Sequence, residues 1–254
     1  MQQEAPSKNL DKVLDLILYL SRQDEPQNIA QLARYLGVTR NTIYAMLASL
    51  SSRAFVEKTA DGRYTIGYGL LGIVANYNHQ YPFLYVAEKH MLELAAQLGT
   101  SVSILVYKSP LNCLRLYSTE SAAAFTPGSL VHACTTAPGK LLLAAQPDEV
   151  IRADLAARPI EAYTARTITD PEAILAAVPD YRAAETAVEF GERFPESGTA
   201  AAAVRSRSGR AIAALSVFLP ARMEDAALQS LCAQLRLTAL RISEELGNAS
   251  SVLI

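Results

Sequence analysis

Apolar positions recur at helical spacing in two short segments joined by a glycine, between Asn28 and Leu50. In the first segment they fall on one helix face, made of Ile29, Leu32, Ala33 and Leu36. Asn28 is a typical helix N-cap with Gln31 as its partner, and Gly37 suits the left-handed residue that ends a helix. Thr39 can then cap a second helix. The pattern predicts two helices joined by a tight turn.

The second predicted helix has one apolar and one polar face. Its apolar face consists of Ile43, Met46, Leu47 and Leu50. The opposite face carries short polar or small side chains that can approach base edges in a major groove, namely Asn41, Thr42, Tyr44, Ala45 and Ser49, with Arg40 near its border. We interpret this helix as DNA-reading. An ordinary helical hairpin with a solvated polar face is the alternative, because the same geometry occurs in proteins that bind no DNA.

The flanking segments complete a small domain. An amphipathic helix is predicted upstream from Leu10, Val13, Leu14, Ile17, Leu18 and Leu20, which gives a three-helix bundle. Downstream, residues 55–66 surround an Asp61-Gly62 turn and predict a β-hairpin, the wing of a winged helix. Lys58 and Arg63 flank its tip and are suited to contact phosphates. A solvated hairpin with incidental charges is the alternative.

Gly67 to Gly72 reads GxGxxG, the pattern of a dinucleotide-binding turn. The strand before it is short, contains Arg63 and Tyr64, and closes a hairpin, whereas a dinucleotide-binding strand is parallel and nearly all apolar. We therefore predict no cofactor at this motif.

The rest of the chain alternates helical and strand patterns. Residues 69–81 predict a linker helix, Pro82 a break, and 83–98 a long helix. The remaining predicted elements are strands at 101–107, 113–118, 200–204 and 211–219, and helices at 139–145, 148–157, 172–182 and 223–246. This order predicts an α+β domain with helices packed on a sheet.

Length and charge limit the classes of protein to which the chain can belong. The 254 residues, 50% of them hydrophobic, suffice for two domains. The net charge of −2 excludes a generally basic surface, but the segment from Arg34 to Arg63 holds five basic and two acidic residues, a local balance of +3. No signal peptide or apolar run long enough to span a bilayer is present, so we expect a cytoplasmic protein that does not enter the membrane.

Residues that could carry chemistry are dispersed. Cys113, Cys134 and Cys232 lack the spacing of a disulfide framework or zinc site, and the three histidines lie far apart, so we predict no metal. His132 and Cys134 could form a thiol–imidazole pair on a strand, and Glu189 and Glu192 a carboxylate pair. Neither pair has the further groups that catalysis needs. We predict that the chain is not an enzyme.

Several motifs in order resemble the IclR family of bacterial transcriptional regulators, over about residues 10–246. They are the helical pair at 29–50, the hairpin and following turn at 61–71, Thr-Ala-Pro-Gly-Lys at 136–140, Arg-Thr-Ile-Thr-Asp at 166–170 and the paired late strands within 200–220. This chain departs from the family pattern at Ala45, where arginine is frequent, at Ala54 for glycine, Thr199 for cysteine, Ala203 for proline and Phe218 for a small polar residue.

The resemblance implies a winged helix–turn–helix domain at 1–68, a linker helix at 69–81 and a GAF-like effector-binding and oligomerisation domain at 82–254. It implies a homodimer or dimer of dimers that binds double-stranded operator DNA and responds to a small metabolite. The implied effector-binding residues are Ala137, Pro138, Glu189, Thr199 and Ser216.

Residues and resemblance together predict a ligand-controlled, DNA-binding regulator, either repressor or activator. The DNA-contacting residues that we predict are Thr39, Arg40, Asn41, Thr42, Tyr44, Lys58 and Arg63. The alternative is a ligand-sensing adaptor that has lost specific DNA binding, which the small Ala45 and the modest local charge would allow.

Overall fold

The computed structural model of the protein describes residues 8–80, 83–120 and 126–248. The chain divides into two units, residues 1–79 and 80–254. We call them the N-terminal and the C-terminal unit. Tyr81 and Pro82, which the sequence places at the end of the linker segment, lie outside the described residues.

The N-terminal unit contains the helices and the hairpin that the sequence predicts. Its elements are α1 (Lys8–Leu20), α2 (Ile29–Leu36), α3 (Arg40–Ser51), β1 (Val56–Lys58), β2 (Tyr64–Ile66) and α4 (Gly69–Gln80). Strands β1 and β2 pair antiparallel, with Val56 opposite Ile66. Leu16, Leu32, Ile43 and Leu47 form the centre of the core.

The inward face of α1 differs from the prediction. Leu16 and Leu20 are buried, whereas Leu10, Leu14 and Leu18 are each more than half exposed. Because nearly every second residue of this helix is apolar, periodicity alone could not select the face that meets the core.

The C-terminal unit is a six-stranded antiparallel sheet with helices on both faces. Its elements are α5 (Phe83–Leu98), β3 (Val102–Lys108), β4 (Asn112–Ser118), β5 (Leu130–His132), α6 (Ala137–Ala144), α7 (Asp148–Ala157), α8 (Pro171–Ala183), β6 (Thr186–Phe190), β7 (Ser197–Arg205), β8 (Ala211–Pro220) and α9 (Asp225–Asn248). The strand order is β5-β4-β3-β8-β7-β6. Strands β5 and β6, which are short and lie at the edges of the sheet, were not predicted from the sequence.

Two layers of apolar side chains cover the sheet. Helices α5 and α9 pack on one face, where Met91, Leu94, Leu215 and Leu235 are buried. Helix α6 lies on the other face, where the neighbouring strands carry mostly alanine. These small side chains allow α6 to approach the sheet closely. No helix in the described part of the chain is long and apolar enough to cross a membrane.

Candidate nucleic-acid interface and ligand site

The turn between α2 and α3 is fixed by the caps that the sequence predicts. The Asn28 side chain accepts a hydrogen bond from the Gln31 N–H at 3.0 Å, and the Asn28 N–H donates to the Gln31 side chain at 2.8 Å. Gly37 has φ of 61°, and Thr39 Oγ1 accepts from the Thr42 N–H at 3.3 Å. The capping box, the left-handed glycine and the second cap therefore set the angle at which α3 leaves the turn.

Helix α3 presents a polar surface away from the core. Ile43, Met46, Leu47 and Leu50 are buried, as predicted. Arg40, Asn41 and Tyr44 are exposed, and 54% of the Tyr44 surface is accessible. Thr42 is partly buried, and its hydroxyl lies 2.9 Å from the hydroxyl of Thr39. Asn41 and Tyr44 are thus the α3 side chains best placed to meet bases, while Thr39 and Thr42 stabilise the start of the helix.

The two predicted basic residues of the wing differ in their surroundings. Arg63 Nε lies 2.9 Å from a carboxylate oxygen of Asp61, and both side chains are about half exposed. A hydrogen bond from the Thr59 hydroxyl, followed in importance by the charge of Arg63, holds the pKa of Asp61 below its usual value. Lys58 Nζ lies 5.9 Å from the centre of the Tyr64 ring, and Lys58 forms no ion pair within the described residues. Lys58 is therefore the wing cation more available to a phosphate.

The GxGxxG match has a structural explanation. Gly67 N–H donates to the Phe55 carbonyl at 2.9 Å and Gly69 N–H to the Ala54 carbonyl at 2.7 Å. A Cβ on either glycine would lie 2.3 Å from a backbone oxygen of the Arg53-Ala54 segment. These two glycines let the chain after the wing pass against the end of α3, and Ala54 itself has a left-handed φ of 54°.

Gly69→Ala is expected to lower the free energy of unfolding of the N-terminal unit by about 1–3 kcal/mol, because neither backbone segment can yield easily. Gly72→Ala is the matched control, since a Cβ at Gly72 meets nothing within 4 Å and alanine favours the helix by up to about 1 kcal/mol. Urea unfolding followed by circular dichroism measures both. Equal stability of the two variants would contradict the close packing.

Three of the five predicted effector-binding residues form one hydrogen-bonded group at the start of α6. Thr199 on β7 donates its hydroxyl proton to Glu189 on β6 at 2.8 Å and accepts from the Ala137 N–H at 2.9 Å. The second Glu189 oxygen accepts from the Glu192 N–H at 3.1 Å. Burial raises the pKa of Glu189, although these hydrogen bonds act in the opposite direction. A threonine thus links the helix start to a buried carboxyl group.

The remaining two residues lie beside this group. Pro138 is the second residue of α6 and is buried. Ser216 lies on β8 opposite Ala201 and Ser103, while Phe218 lies opposite Thr199. Side chains at cross-strand positions share a face of a sheet, so Ser216 faces α6 as Thr199 does, one strand away. Within the described residues, no hydrogen bond joins Ser216 to the other four.

A buried ion pair adds Lys140 and Glu192, two residues that were not predicted from the sequence to bind the effector. Lys140 lies on α6 and donates to a carboxylate oxygen of Glu192, and both side chains are largely buried. Lys140 is therefore paired inside the unit rather than exposed to solvent at the start of its helix. The loop that carries Glu192 is held by the hydroxyls of Thr164 and Thr167, which donate to the carbonyls of Gly191 and Glu192 at 2.6 and 2.7 Å. The Arg166–Asp170 motif thus supports the site from outside.

Several polar atoms around the start of α6 are buried without a hydrogen-bond partner among the residues that the structure describes. They are Thr135 Oγ1, the second carboxylate oxygen of Glu192 and Nη1 of Arg193. The Arg193 guanidinium lies 3.5 Å from the centre of the Tyr163 ring. Because buried polar groups normally have partners, this cluster marks a place where a bound molecule would supply them.

Polar residues also line the sheet beside Ser216. Ser103 donates to the Ser118 hydroxyl at 3.2 Å, and Arg115 on β4, only 5% exposed, donates to the Ser129 hydroxyl at 3.2 Å. Burial lowers the pKa of Arg115. No sequence motif indicated these residues, because their hydroxyl and guanidinium groups come together only through the pairing of β3, β4 and β8.

His132 and Cys134 do not form the thiol–imidazole pair that the sequence left open. His132 Nδ1 accepts from the backbone N–H of Cys134 at 3.3 Å. Burial raises the pKa of the Cys134 thiol to about 12 and lowers the pKa of His132. A thiol with so high a pKa is a poor nucleophile.

A winged helix–turn–helix unit indicates a DNA-binding protein, and the separate α+β unit with its buried polar cluster favours a transcriptional regulator controlled by a ligand. Residues 9–60 match the family model described as IclR helix-turn-helix domain, and residues 75–244 match that described as Bacterial transcriptional regulator IclR C-terminal. The chain belongs to the IclR family of bacterial transcriptional regulators. It is therefore a DNA-binding regulator rather than an enzyme.

Relatives agree with this assignment. The chain is 27% identical to "Probable transcriptional regulator SauR" of Cupriavidus necator, over 87% of this chain and 89% of that protein. The Thermotoga maritima IclR structure is 20% identical with a TM-score of 0.77, covering 94% of this chain and 98% of that one. An IclR homologue from Microbacterium hydrocarbonoxydans complexed with 4-hydroxybenzoate has a TM-score of 0.75 at 20% identity, with the same coverage. The two structures establish the shared fold.

Proposed function

We propose that this regulator binds a specific operator through α3 and the wing, and that a small metabolite bound in the C-terminal unit changes that binding. The observation that carries the first part is the exposed polar face of α3, opposite its buried apolar face. In this proposal residues 1–68 bind DNA, residues 82–254 bind the effector and oligomerise, and residues 69–81 connect these two domains. The protein acts in the cytoplasm.

The proposed DNA contacts divide into two kinds. Asn41 and Tyr44 read base edges, with Thr42 beside them, because they occupy the first turns of α3. The other contacts, Thr39, Arg40, Lys58 and Arg63, fix phosphates. Arg63 must release or share its ion pair with Asp61 to do so, so we expect Lys58 to contribute more.

The proposed effector site contains Ala137, Pro138, Glu189, Thr199 and Ser216. Its support is the hydrogen-bonded group around Thr199 and the nearby unpartnered atoms, which include a carboxylate oxygen that lacks a donor and a guanidinium nitrogen that lacks an acceptor. A ligand with both kinds of polar group would satisfy them. The relative complexed with 4-hydroxybenzoate supports a small organic molecule as the class of effector.

The test combines DNA binding with a ligand screen. Fluorescence anisotropy with the DNA upstream of the protein's own gene should give an affinity that falls steeply with salt concentration, because bound cations release counterions from phosphates. A thermal-shift screen over small metabolites should then find a compound that raises the melting temperature and alters the anisotropy. A genomic selection that enriches no sequence would instead favour the ligand-sensing adaptor.

We also propose that the protein is a homodimer or a dimer of dimers. The N-terminal unit exposes apolar side chains on two helices, with Leu10, Leu14 and Leu18 on α1 and Leu71, Ile73 and Val74 on α4. Clusters of exposed apolar side chains of this kind are typical of protein interfaces.

Replacing both Leu14 and Leu18 by glutamate should shift the protein from dimer towards monomer, because two charges would then have to be buried. Sedimentation velocity at micromolar protein measures the change. Leu92→Glu, on an equally exposed leucine of α5, is the control and should leave the mass unchanged. A dimer that persists in the double variant would remove α1 from the interface.

A further inference from the structure

A cavity of about 300 Å³ lies in the C-terminal unit, below the turn that joins β7 to β8. Its apolar lining comes from Leu141 and Ala145 of the α6 region, Tyr181 of α8, and Ala203 and Ala211 of the two strands. Its polar lining is formed by Arg182, Arg205, Arg210, Ser208 and Gly209, with Ala184 beside them. The cavity thus has apolar walls and three arginines, and none of the described residues that line it is acidic.

One of these arginines has a structural role. Arg182 Nε donates to the Ala144 carbonyl at 2.7 Å, and its Nη2 donates to the Gln146 carbonyl at 3.0 Å and to Asp148 at 2.7 Å. It satisfies carbonyls at the end of α6, and its charge is balanced by Asp148. We do not assign Arg182 to a ligand.

The other two arginines leave positive charge at the cavity. Arg205 donates through Nη1 to the Gly209 carbonyl at 2.9 Å and through Nη2 to the Ala184 carbonyl at 2.8 Å, which holds it in place without a carboxylate. A guanidinium has five N–H groups, so donors remain. Arg210 is exposed, and its guanidinium forms no hydrogen bond or ion pair in the described part of the chain. The nearby Glu185 pairs with Arg236 at 2.9 Å.

We propose that this cavity is a second ligand site, which binds a small carboxylate with an apolar body of about one ring. Arg205 and Arg210 would bind the carboxylate, and Leu141, Ala145, Ala203 and Ala211 would cover the body. Ligand pockets span about 300–1,000 Å³, so the cavity volume lies at the low end of this range. It is too small for a molecule the size of a nucleotide. Inorganic phosphate would leave the apolar walls without a partner.

The second site is separate from the proposed effector site. Thr199, Glu189 and Ala137 lie where β7 begins and α6 starts, whereas the cavity lies where β7 ends and α6 finishes. None of the five effector-site residues lines it. Occupation of one site therefore does not require the other.

Calorimetric titration of the full-length protein with sodium benzoate tests the proposal. Arg210→Ala should weaken benzoate binding about tenfold, as expected for one charge-assisted contact. The matched control is Arg207→Ala, an exposed arginine of the same turn that does not line this cavity, and it should change the affinity less than about twofold. Ala145→Leu should abolish binding by filling the space, and benzamide, a neutral analogue, should bind weakly.

Three results would overturn the second site. They are no benzoate binding at millimolar concentration, equal weakening by Arg207→Ala and Arg210→Ala, or loss of binding in Ser216→Ala with full binding in Arg210→Ala. The last result would mean that benzoate occupies the effector site, and it would leave the proposed function intact. A shift of the Gly209 amide resonance that saturates with benzoate, present in Ser216→Ala and absent in Ala145→Leu, would support the second site.

Discussion

Combined replacement of Asn41 and Tyr44 by alanine is expected to weaken specific operator binding by about 100-fold, since each lost base contact removes about 1–3 kcal/mol. Both side chains are exposed on the first turns of α3, three residues apart, and neither supports the core of the N-terminal unit. Asn41 can donate to and accept from one base, and the Tyr44 ring and hydroxyl add a second contact. Fluorescence anisotropy with operator and scrambled duplexes measures the loss.

The controls separate base reading from phosphate binding. Ser49 lies about two turns further along the exposed face of α3, so Ser49→Ala should change the affinity for operator DNA little. Lys58→Ala should weaken operator and scrambled DNA alike and reduce the salt dependence by about one counterion. If the Asn41 and Tyr44 double variant binds operator like the unmodified protein, α3 does not read the sequence through this face.

The helix–turn–helix was predictable because its signals are local. Each helix cap involves residues only a few positions apart along the chain, so each cap is visible in the sequence. The capping residues are Asn28, Gln31, Gly37 and Thr39. The buried faces of α1 and α9 were harder to predict. On α9, Leu240 is 50% exposed whereas Ala239 and Ile242 are buried, because apolar residues occur on more than one side of that helix.

The ligand site was only partly predictable. Glu189 and Thr199 were identified through the family resemblance, and the structure brings them together with Ala137. Lys140 and Glu192 are 52 residues apart, and no local pattern pairs a lysine with one glutamate among many. The strand β6 that carries Glu189 was missed because TAVEF is short and follows an alanine-rich helix. The residues of such a site are brought together by the pairing of strands that are far apart in the chain. A single sequence does not reveal which strands pair.

Lys140→Met is expected to destabilise the C-terminal unit by about 3–5 kcal/mol, because it leaves the buried carboxylate of Glu192 without its cation. For a unit of this size the loss corresponds to a fall of about 10 °C in its melting temperature, which differential scanning calorimetry measures. Arg236→Met is the matched control. It removes an ion pair with Glu185 whose side chains are both about half exposed, so a loss below about 1 kcal/mol is expected.

The double variant Lys140→Met with Glu192→Leu distinguishes a structural pair from a ligand-binding one. Replacing both partners of a buried ion pair by apolar residues is often neutral, so the double variant should recover most of the lost stability. If Lys140→Met is instead as mild as Arg236→Met, the pair does not hold the 191–194 loop against α6. If the double variant is stable but its DNA binding no longer responds to the effector, the Lys140–Glu192 pair contacts the ligand and is not only a structural ion pair.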